Sequence, residues 1–375
     1  MSLILLAAGG TGGHIFPAKA LAEELLARGR EVALATDDRG EAYDRRFPGV
    51  EVHTIRAGTP SGKGPIGKVV AVADILRGVL QARRLIADLE PDLVAGFGGY
   101  PSLPTMWAAA GGDQPILLHE QNAVLGRVNR FLARKVDAIA VSFERVAGLP
   151  KKNAPPVVLV GNPVRAEIAD VAGHSYEAPT PDGDFHLLIF GGSQGALVMG
   201  SVVPEAVRQL PDALRARLVV CQQCRDSDRD NVAQAYREMG VRAEVETFFE
   251  DMPERLRRAH LVIARAGAGT VSEIAVAGRP AILVPYSFAT DDHQTANAGA
   301  LVAAGGAWLM PHDDFMPEAL AGRLVDLAER SFLLQQVARN ALTAGRPDAA
   351  RRLANLVDRL APPPRGRNGN RRQAA

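Results

Sequence analysis

Short apolar runs alternate along this chain with glycine turns and then with stretches of helical period. Residues 3–8 form the first such run, followed by the turn Gly9-Gly10-Thr11-Gly12-Gly13-His14. Beyond it, Ala18, Leu21, Ala22, Leu25 and Leu26 recur at i, i+3, i+4, i+7 and i+8, which predicts a helix ending at Gly29. Residues 31–36, 93–97, 116–119, 138–141 and 157–160 predict further short buried strands. The pattern then restarts: residues 185–190 are apolar and run into Gly191-Gly192-Ser193-Gln194-Gly195-Ala196 and another helix. Strands are predicted after it at 217–220, 243–247, 261–264 and 281–284. Apolar runs separated by helical segments predict parallel sheets covered by helices. One strand–glycine turn–helix unit at the start of each half predicts two similar α/β domains rather than a solenoid.

Length agrees, since 375 residues suit two domains of roughly 150 to 200 residues each. The boundary is expected near Gly161-Asn162-Pro163 or in the Pro-rich stretch 178–184. A formal net charge of +1 gives no global nucleic-acid footprint, so any electrostatic role is local. The two cysteines, Cys221 and Cys224, rule out a disulfide scaffold. Their C-x-x-C spacing fits a redox pair or half a zinc site, but no second Cys pair completes a zinc set, and two thiols ending a strand is the simpler reading. The opening apolar run lacks a basic start, and no later apolar run approaches the ~20 residues of a membrane span. A cytoplasmic protein with membrane contact only at its surface is expected. Residues 362–375, rich in Pro, Arg and Asn without periodicity, are expected to form a disordered basic tail.

The glycine turns carry the chemistry. A glycine turn between strand and helix lets backbone N–H groups approach an anion at the positive end of the helix. Residues 9–13 and 191–195 qualify, as does Ala266-Gly267-Ala268-Gly269-Thr270 before a helix expected from Val271. A single such turn can simply ease strand–helix packing; three in one context point to a phosphate or diphosphate. The dinucleotide pattern G-x-G-x-x-G fails, because read from Gly10 its last glycine position is Ile15. Asp37 or Asp38 could still meet a ribose, but that reading leaves the second and third turns unexplained.

Six blocks of residues resemble one family in order. They are Gly9-Gly10-Thr11-Gly12-Gly13-His14, Gly96-Phe97-Gly98-Gly99-Tyr100, His119-Glu120-Gln121-Asn122, Gly161-Asn162-Pro163-Val164-Arg165, Gly191-Gly192-Ser193-Gln194-Gly195-Ala196, and the stretch from Arg265 through Thr270-Val271-Ser272-Glu273 to Asp291-Asp292-His293-Gln294-Thr295-Ala296-Asn297. They are similar to the bacterial undecaprenyl-diphospho-muramoylpentapeptide N-acetylglucosaminyltransferases, the MurG family, and run to about residue 306. The resemblance implies a GT-B fold, two Rossmann-like parallel-sheet domains facing each other across a deep cleft. It implies an acceptor domain over 1–162, a donor domain over 163–345, and a last helix, about 346–360, crossing back onto the first domain. The implied reaction is inverting and metal-independent and needs no cofactor. The C4 hydroxyl of a lipid-linked N-acetylmuramoyl pentapeptide attacks the anomeric carbon of UDP-N-acetylglucosamine, giving UDP and a β-1,4 bond.

Such a displacement needs a base at the acceptor hydroxyl and charge stabilisation at the departing diphosphate. His14 is the candidate base, with ordering of the loop or a phosphate contact as the competing role. Helix N-terminal amides, Ser193 and Arg165 are the candidate diphosphate ligands, Arg offering a planar fork. Asp291-Asp292 is the one adjacent carboxylate pair to suspect of metal binding, and a solvated or capping role is preferred. The family's ribose-binding Glu matches Glu273, but Thr270-Val271-Ser272-Glu273 also has the form of a helix capping box. By the same resemblance Asn122 and Gln294 contact the donor sugar, with Thr11, Gly12 and Gly13 alongside. Ala268, Gly269, Thr270, Val271 and Ser272 line the donor, and Phe249 meets the uracil edge unless it is ordinary core. His293 departs from the family's frequent Gln, which loosens the sugar assignment at Gln294.

The acceptor's polyprenyl tail calls for contact with an anionic membrane surface. Ile66, Val69, Val70, Ile75, Leu76, Val79 and Leu80, interspersed with Lys63, Lys68, Arg77, Arg83 and Arg84, fit a peripheral contact on the cytoplasmic face of the inner membrane. A helix packed on its own sheet accounts for part of the same pattern. Two rivals share the glycine turns: a UDP-N-acetylglucosamine 2-epimerase, and a non-catalytic donor-binding or scaffold protein.

Overall fold

The computed structural model describes residues 2–37, 47–58, 64–191 and 197–361. The tail expected at 362–375 lies outside them. The chain divides into two compact units: Met1–Gln121, Leu125–Pro163 and Asp348–Ala375 form the first, Asn122–Val124 and Val164–Pro347 the second.

In the first unit the strands β1 (Leu3–Ala7), β2 (Glu31–Thr36), β3 (Glu51–Thr54), β4 (Leu93–Gly96), β5 (Ile116–Glu120), β6 (Ala138–Val141) and β7 (Val157–Leu159) form a parallel sheet in the order β3-β2-β1-β4-β5-β6-β7. Leu5 sits opposite Ala33 on one side and Val94 on the other. The sheet is covered on both faces, which is why β1 is apolar throughout. Ile4, Leu6 and Ala8 pack with Ile15, Leu21 and Leu25 of α1 (Gly12–Ala27). Leu3, Leu5 and Ala7 turn the other way, onto a cluster with Ile75 and Val79 of α2 (Pro65–Leu89), Met106 of α3 (Leu103–Ala109) and Val128 of α4 (Arg127–Leu132).

The second unit begins with α5 (Ala166–Val171) and β8 (Phe185–Phe190), and continues through α6 (Leu197–Arg208), α7 (Asp212–Arg217), β9 (Leu218–Gln223), α8 (Asp226–Glu238), β10 (Arg242–Glu246) and α9 (Met252–Arg258). Then follow β11 (Leu261–Ala264), α10 (Ala268–Ala277), β12 (Ala281–Leu283), α11 (His293–Ala303), β13 (Ala307–Leu309), α12 (Pro317–Ala328) and α13 (Ser331–Ala344). Its parallel sheet has the order β10-β9-β8-β11-β12-β13. Phe185, Leu187 and Ile189 pack on Met199 and Val203 of α6, Tyr236 of α8 and Leu324 of α12.

The last helix, α14 (Ala349–Leu360), belongs to the first unit, where Leu353, Ala354 and Val357 join the cluster around Ile4 and Leu6. Its Asp358 accepts from both Arg28 and Arg30 at 2.7 Å. The alternation of apolar runs does not announce β3 or β13. β3 is a polar edge strand with Glu51 and Thr54 exposed, and β13 is three residues long. The strand expected at 217–220 is displaced to β9 because Arg217 still belongs to α7.

Magnitudes separate the two ways α14 is held. Leu353 has no exposed surface, so Leu353→Ala is expected to destabilise the first unit by about 2–5 kcal/mol. Asp358 is 31% exposed, and Asp358→Asn is expected to change stability by about 1 kcal/mol or less. Urea unfolding followed by a probe in the first unit checks both; equal effects would place the anchoring of α14 in its ion pairs.

Candidate active site

The first glycine turn leads from β1 into α1 with Thr11 as N-cap, no side chain bonding the freed amides and no acidic residue in the first turn. Those amides lack intrahelical partners and sit at the positive end of the helix. Gly9 has a packing reason, since a Cβ there would stand 2.6 Å from that of Pro101. Thr11 and Gly13 are exposed and His14 is half-buried. The His14 ring is fixed from behind: Nδ1 lies 2.8 Å from the Phe97 carbonyl and 3.1 Å from Gln121 Oε1. Gln121 also bonds His119, whose Nε2 donates to the Gly161 carbonyl at 3.1 Å.

In the second unit, α10 starts at Ala268 with Gly267 as N-cap, three residues before the expected start at Val271. Its first helical bond runs from Val271 N to Gly267 O at 2.9 Å, so the amides of Ala268, Gly269 and Thr270 have no intrahelical acceptor. No acidic side chain occupies this first turn. The early start removes the capping-box reading, because Thr270 lies inside the helix and Glu273 is too far along to cap it. Glu273 instead accepts from Arg165 Nη2 at 3.2 Å and Nε at 3.3 Å, with only 15% of its side chain exposed. Arg165 immediately precedes α5, which packs against α10. Burial pushes the Glu273 pKa up, and the neighbouring Arg165 acts against that rise. Val271 and Ala268 turn into the core, so their available groups are backbone.

One buried side chain organises the rest of this unit's site. Asn297, on α11 with no exposed surface, accepts from Ala123 N at 2.8 Å and donates to Asn122 Oδ1 and to the Ala266 carbonyl, each at 3.1 Å. It thereby ties Asn122 to the turn before α10. Gln294, one helical turn earlier, accepts from Tyr286 N at 3.0 Å. Arg265 holds the same stretch from below, donating to the carbonyls of Val284 and Pro285 at 3.2 and 2.9 Å. The sequence shows Asn297 and Arg265 only as members of a block; their bracing role depends on partners up to 175 positions away.

The remaining expected residues are less gathered. Phe249 is 3% exposed and lies beneath the Arg255 guanidinium, 3.9 Å from its ring centroid, while the adjacent Phe248 is exposed. Ser193 lies outside the described residues. Cys221 and Cys224 are free thiols, and burial pushes Cys224 up to about 11. Among the described residues no three His, Cys, Asp or Glu side chains form a metal-binding group.

Two parallel α/β sheets, each opening its helices on glycine turns at the strand ends, are the architecture of the GT-B glycosyltransferases. The chain matches the Glycosyltransferase family 28 N-terminal domain over residues 4–141 and the C-terminal domain over residues 186–353. It is 52% identical over 357 residues, 95% of this chain and 94% of its relative, to the UDP-N-acetylglucosamine--N-acetylmuramyl-(pentapeptide) pyrophosphoryl-undecaprenol N-acetylglucosamine transferase of Rhodospirillum centenum. It superposes on Acinetobacter baumannii MurG with a TM-score of 0.77 at 30% identity, over 96% of this chain and 100% of that one. The chain therefore belongs to the MurG family of glycosyltransferases. A UDP-GlcNAc 2-epimerase from Neisseria meningitidis, covering 96% of this chain and 100% of its own, shares the fold alone, with a TM-score of 0.65 at 13% identity. The dinucleotide and epimerase readings fall with this kinship.

The Glu273 shift has a sign that unfolding can read. A carboxyl whose folded pKa stands above its ordinary value of 4.5 favours the fold when protonated. Its contribution is complete below that value and is lost as pH rises through the folded pKa. Glu273→Gln removes this contribution to the slope. Chemical denaturation of both proteins across the acid range is expected to show their stability difference changing with pH in that direction; a difference constant with pH would show that Glu273 ionises as freely folded as unfolded.

Proposed function

We propose that this chain transfers N-acetylglucosamine from UDP-N-acetylglucosamine to the C4 hydroxyl of undecaprenyl-diphospho-N-acetylmuramoyl-pentapeptide, with inversion, in peptidoglycan synthesis. The observation that carries the reading is 52% identity along nearly the whole chain to a transferase bearing those substrates in its name. The first unit serves the acceptor and the second the donor.

His14 is the base. With Nδ1 donating to the Phe97 carbonyl, Nε2 keeps its lone pair and takes the proton of the acceptor hydroxyl. The hydroxyl oxygen bonds to the anomeric carbon as the bond from that carbon to the diphosphate oxygen breaks, and the electron pair leaves with UDP. Thr11, Gly12 and Gly13 border this reaction centre. The amides of Ala268, Gly269 and Thr270, together with Arg165 and Ser193, receive the diphosphate charge. Val271 and Ser272 continue that wall. Arg165 Nη2 donates to Glu273 at 3.2 Å. With donor, Arg165 turns to phosphate oxygens and Glu273 accepts from the ribose hydroxyls. Gln294 and Asn122 address the sugar, and the Phe249 backbone meets the uracil edge. No step in this scheme uses a metal or cofactor.

The acceptor's lipid places the first unit at a membrane, and α2 supplies the surface. Val69, Val72, Leu76 and Leu80 fall on one stripe at helical spacing and are each 50–70% exposed. Ile75 and Val79, from the same sequence pattern, are instead buried against the sheet. Arg77, Arg83 and Arg84 are exposed beside the stripe, and Phe131 of α4 adds a 52% exposed ring near Lys135. Apolar side chains flanked by cations suit an anionic lipid surface. The side chains of Ile66 and Lys68, and Lys63, lie outside what is described. No helix among the described residues is long and apolar enough to span a bilayer, in keeping with peripheral attachment. Because nucleotide sugars are made in the cytoplasm, the attachment is assigned to the cytoplasmic face of the inner membrane.

UDP release measured with and without a lipid-linked muramoyl-pentapeptide analogue tests the reaction. Acceptor-dependent release is expected; acceptor-independent turnover or a 2-epimer product would overturn the assignment. His14→Ala is expected to lower turnover ~100-fold or more while donor binding survives. Equal loss of donor binding would make His14 a phosphate ligand instead. For the membrane surface, Leu76→Glu combined with Leu80→Glu is expected to abolish co-sedimentation with anionic vesicles while UDP-N-acetylglucosamine binding persists. Undiminished sedimentation would move the contact off α2.

A further inference from the structure

We propose that His119 and Gln121 act as positioning residues that lock His14 in the tautomer with hydrogen on Nδ1, leaving the Nε2 lone pair for the acceptor hydroxyl. The inference deepens the reading of His14 as the base and rests on it. A neutral imidazole on a free chain favours the opposite tautomer, with hydrogen on Nε2, so a base that must use Nε2 needs its tautomer imposed. In serine hydrolases a buried carboxylate does this. Here the structure does it with neutral groups.

Two backbone carbonyls, which accept hydrogen bonds and never donate them, bound the relay. At one end His119 Nε2 lies 3.1 Å from the Gly161 carbonyl, so that nitrogen carries hydrogen. His119 is buried, and burial pushes its pKa down to about 4, against the hydrogen bond to Gly161 and with a further lowering from His14. The ring is neutral at physiological pH, and its Nδ1 is an acceptor. Gln121 Nε2 donates to that Nδ1 at 3.0 Å and to the His119 carbonyl at 3.2 Å. With both amide hydrogens directed at His119, the Gln121 oxygen faces His14 Nδ1 at 3.1 Å. At the other end the Phe97 carbonyl stands 2.8 Å from the same Nδ1. Two acceptors therefore converge on His14 Nδ1, and only a hydrogen there satisfies them.

The open side of the ring is also built. Gly99 has φ +75, and a Cβ at that position would stand 3.2 Å from His14 Nε2 and 3.1 Å from Cδ2. Glycine there leaves the reactive nitrogen uncrowded. Glu120, the carboxylate nearest in sequence, is turned away: its Oε2 accepts from Gly126 N and Asn129 Nδ2, both at 2.8 Å. Of the two ionisable neighbours in this block, His119 is held neutral and Glu120 is engaged with Gly126 and Asn129. Neutral acceptors thus fix the tautomer without setting a charge against the ring.

Three measurements on the full chain test this. Nitrogen-15 NMR of the imidazole rings, with the His14 signal assigned by its loss in His14→Gln, is expected to show the Nδ1–H tautomer; an Nε2–H tautomer would overturn the relay. Gln121→Met, similar in size and lacking the acceptor, is expected to lower kcat by about 10-fold or more with the donor KM essentially unchanged. Gln121→Glu puts a carboxylate against Nδ1 and is expected to move the acidic limb of the kcat/KM profile to higher pH, because a better-stabilised imidazolium holds its proton longer. A superimposable profile in Gln121→Glu would refute the positioning role even if Gln121→Met folds poorly. Full turnover in His14→Ala would sink the base assignment alone, since the tautomer is read without turnover.

Discussion

A parallel strand buried on both faces has no room for polar side chains along its length. Ile4, Leu5, Leu6 and Ala7 have no exposed surface, and Ile189, Ile263 and Ala264 match them in the second unit. Chemistry is consequently confined to the points where strands stop. The candidate functional groups lie at those points: His14 just after β1, His119 and Gln121 at the end of β5, Arg265 and the α10 amides after β11, and Gln294 after β12. The helices that cover the sheets start at these same places, so their positive ends and freed amides face whatever the loops receive.

Because the sites adjoin the core, their polar groups must be satisfied there, and the chain does this mostly with uncharged partners. Asn297 uses both amide atoms on backbone groups and Asn122. Arg265 is answered by carbonyls, and burial holds its pKa below the usual guanidinium value. His119 is neutral. A buried hydrogen bond left unmade costs about 1–3 kcal/mol, so each of these side chains is held in one pose. The Arg165–Glu273 pair is the exception, a charged contact in a half-buried setting.

The two units differ in the residue types they present. The first offers a histidine on a helix start and, on the outer stripe of α2, aliphatic side chains beside arginines. The second offers amides, a guanidinium and a carboxylate around the turn before α10. Spacing on α2 explains how one helix serves two surfaces: residues 75 and 79 face the sheet, whereas 69, 72, 76 and 80 face away. A sequence pattern of apolar and basic residues cannot distinguish those stripes until the sheet-facing side is known.

Most of the architecture is legible in the residue pattern alone, because burial on both faces writes each central strand as an unbroken apolar run. β1, β2, β4, β5, β6, β8, β11 and β12 can be read in that way, and so can the restart of the pattern at Phe185. Edge strands β3 and β13 escaped, being polar or too short to carry a run. The family blocks point to a set of candidate residues, His14, Arg165, Glu273 and Gln294 among them. How those residues are held came only with the folded chain. Folding moved the start of α10 to Ala268, which turned Glu273 from a capping candidate into the partner of Arg165. It placed Gln121 between two histidines and Asn297 beside Asn122. Periodicity reports which face of an element is buried, a local property of the chain. The partner of a buried polar atom is set by elements up to 175 residues away, and only the folded sheet brings them together.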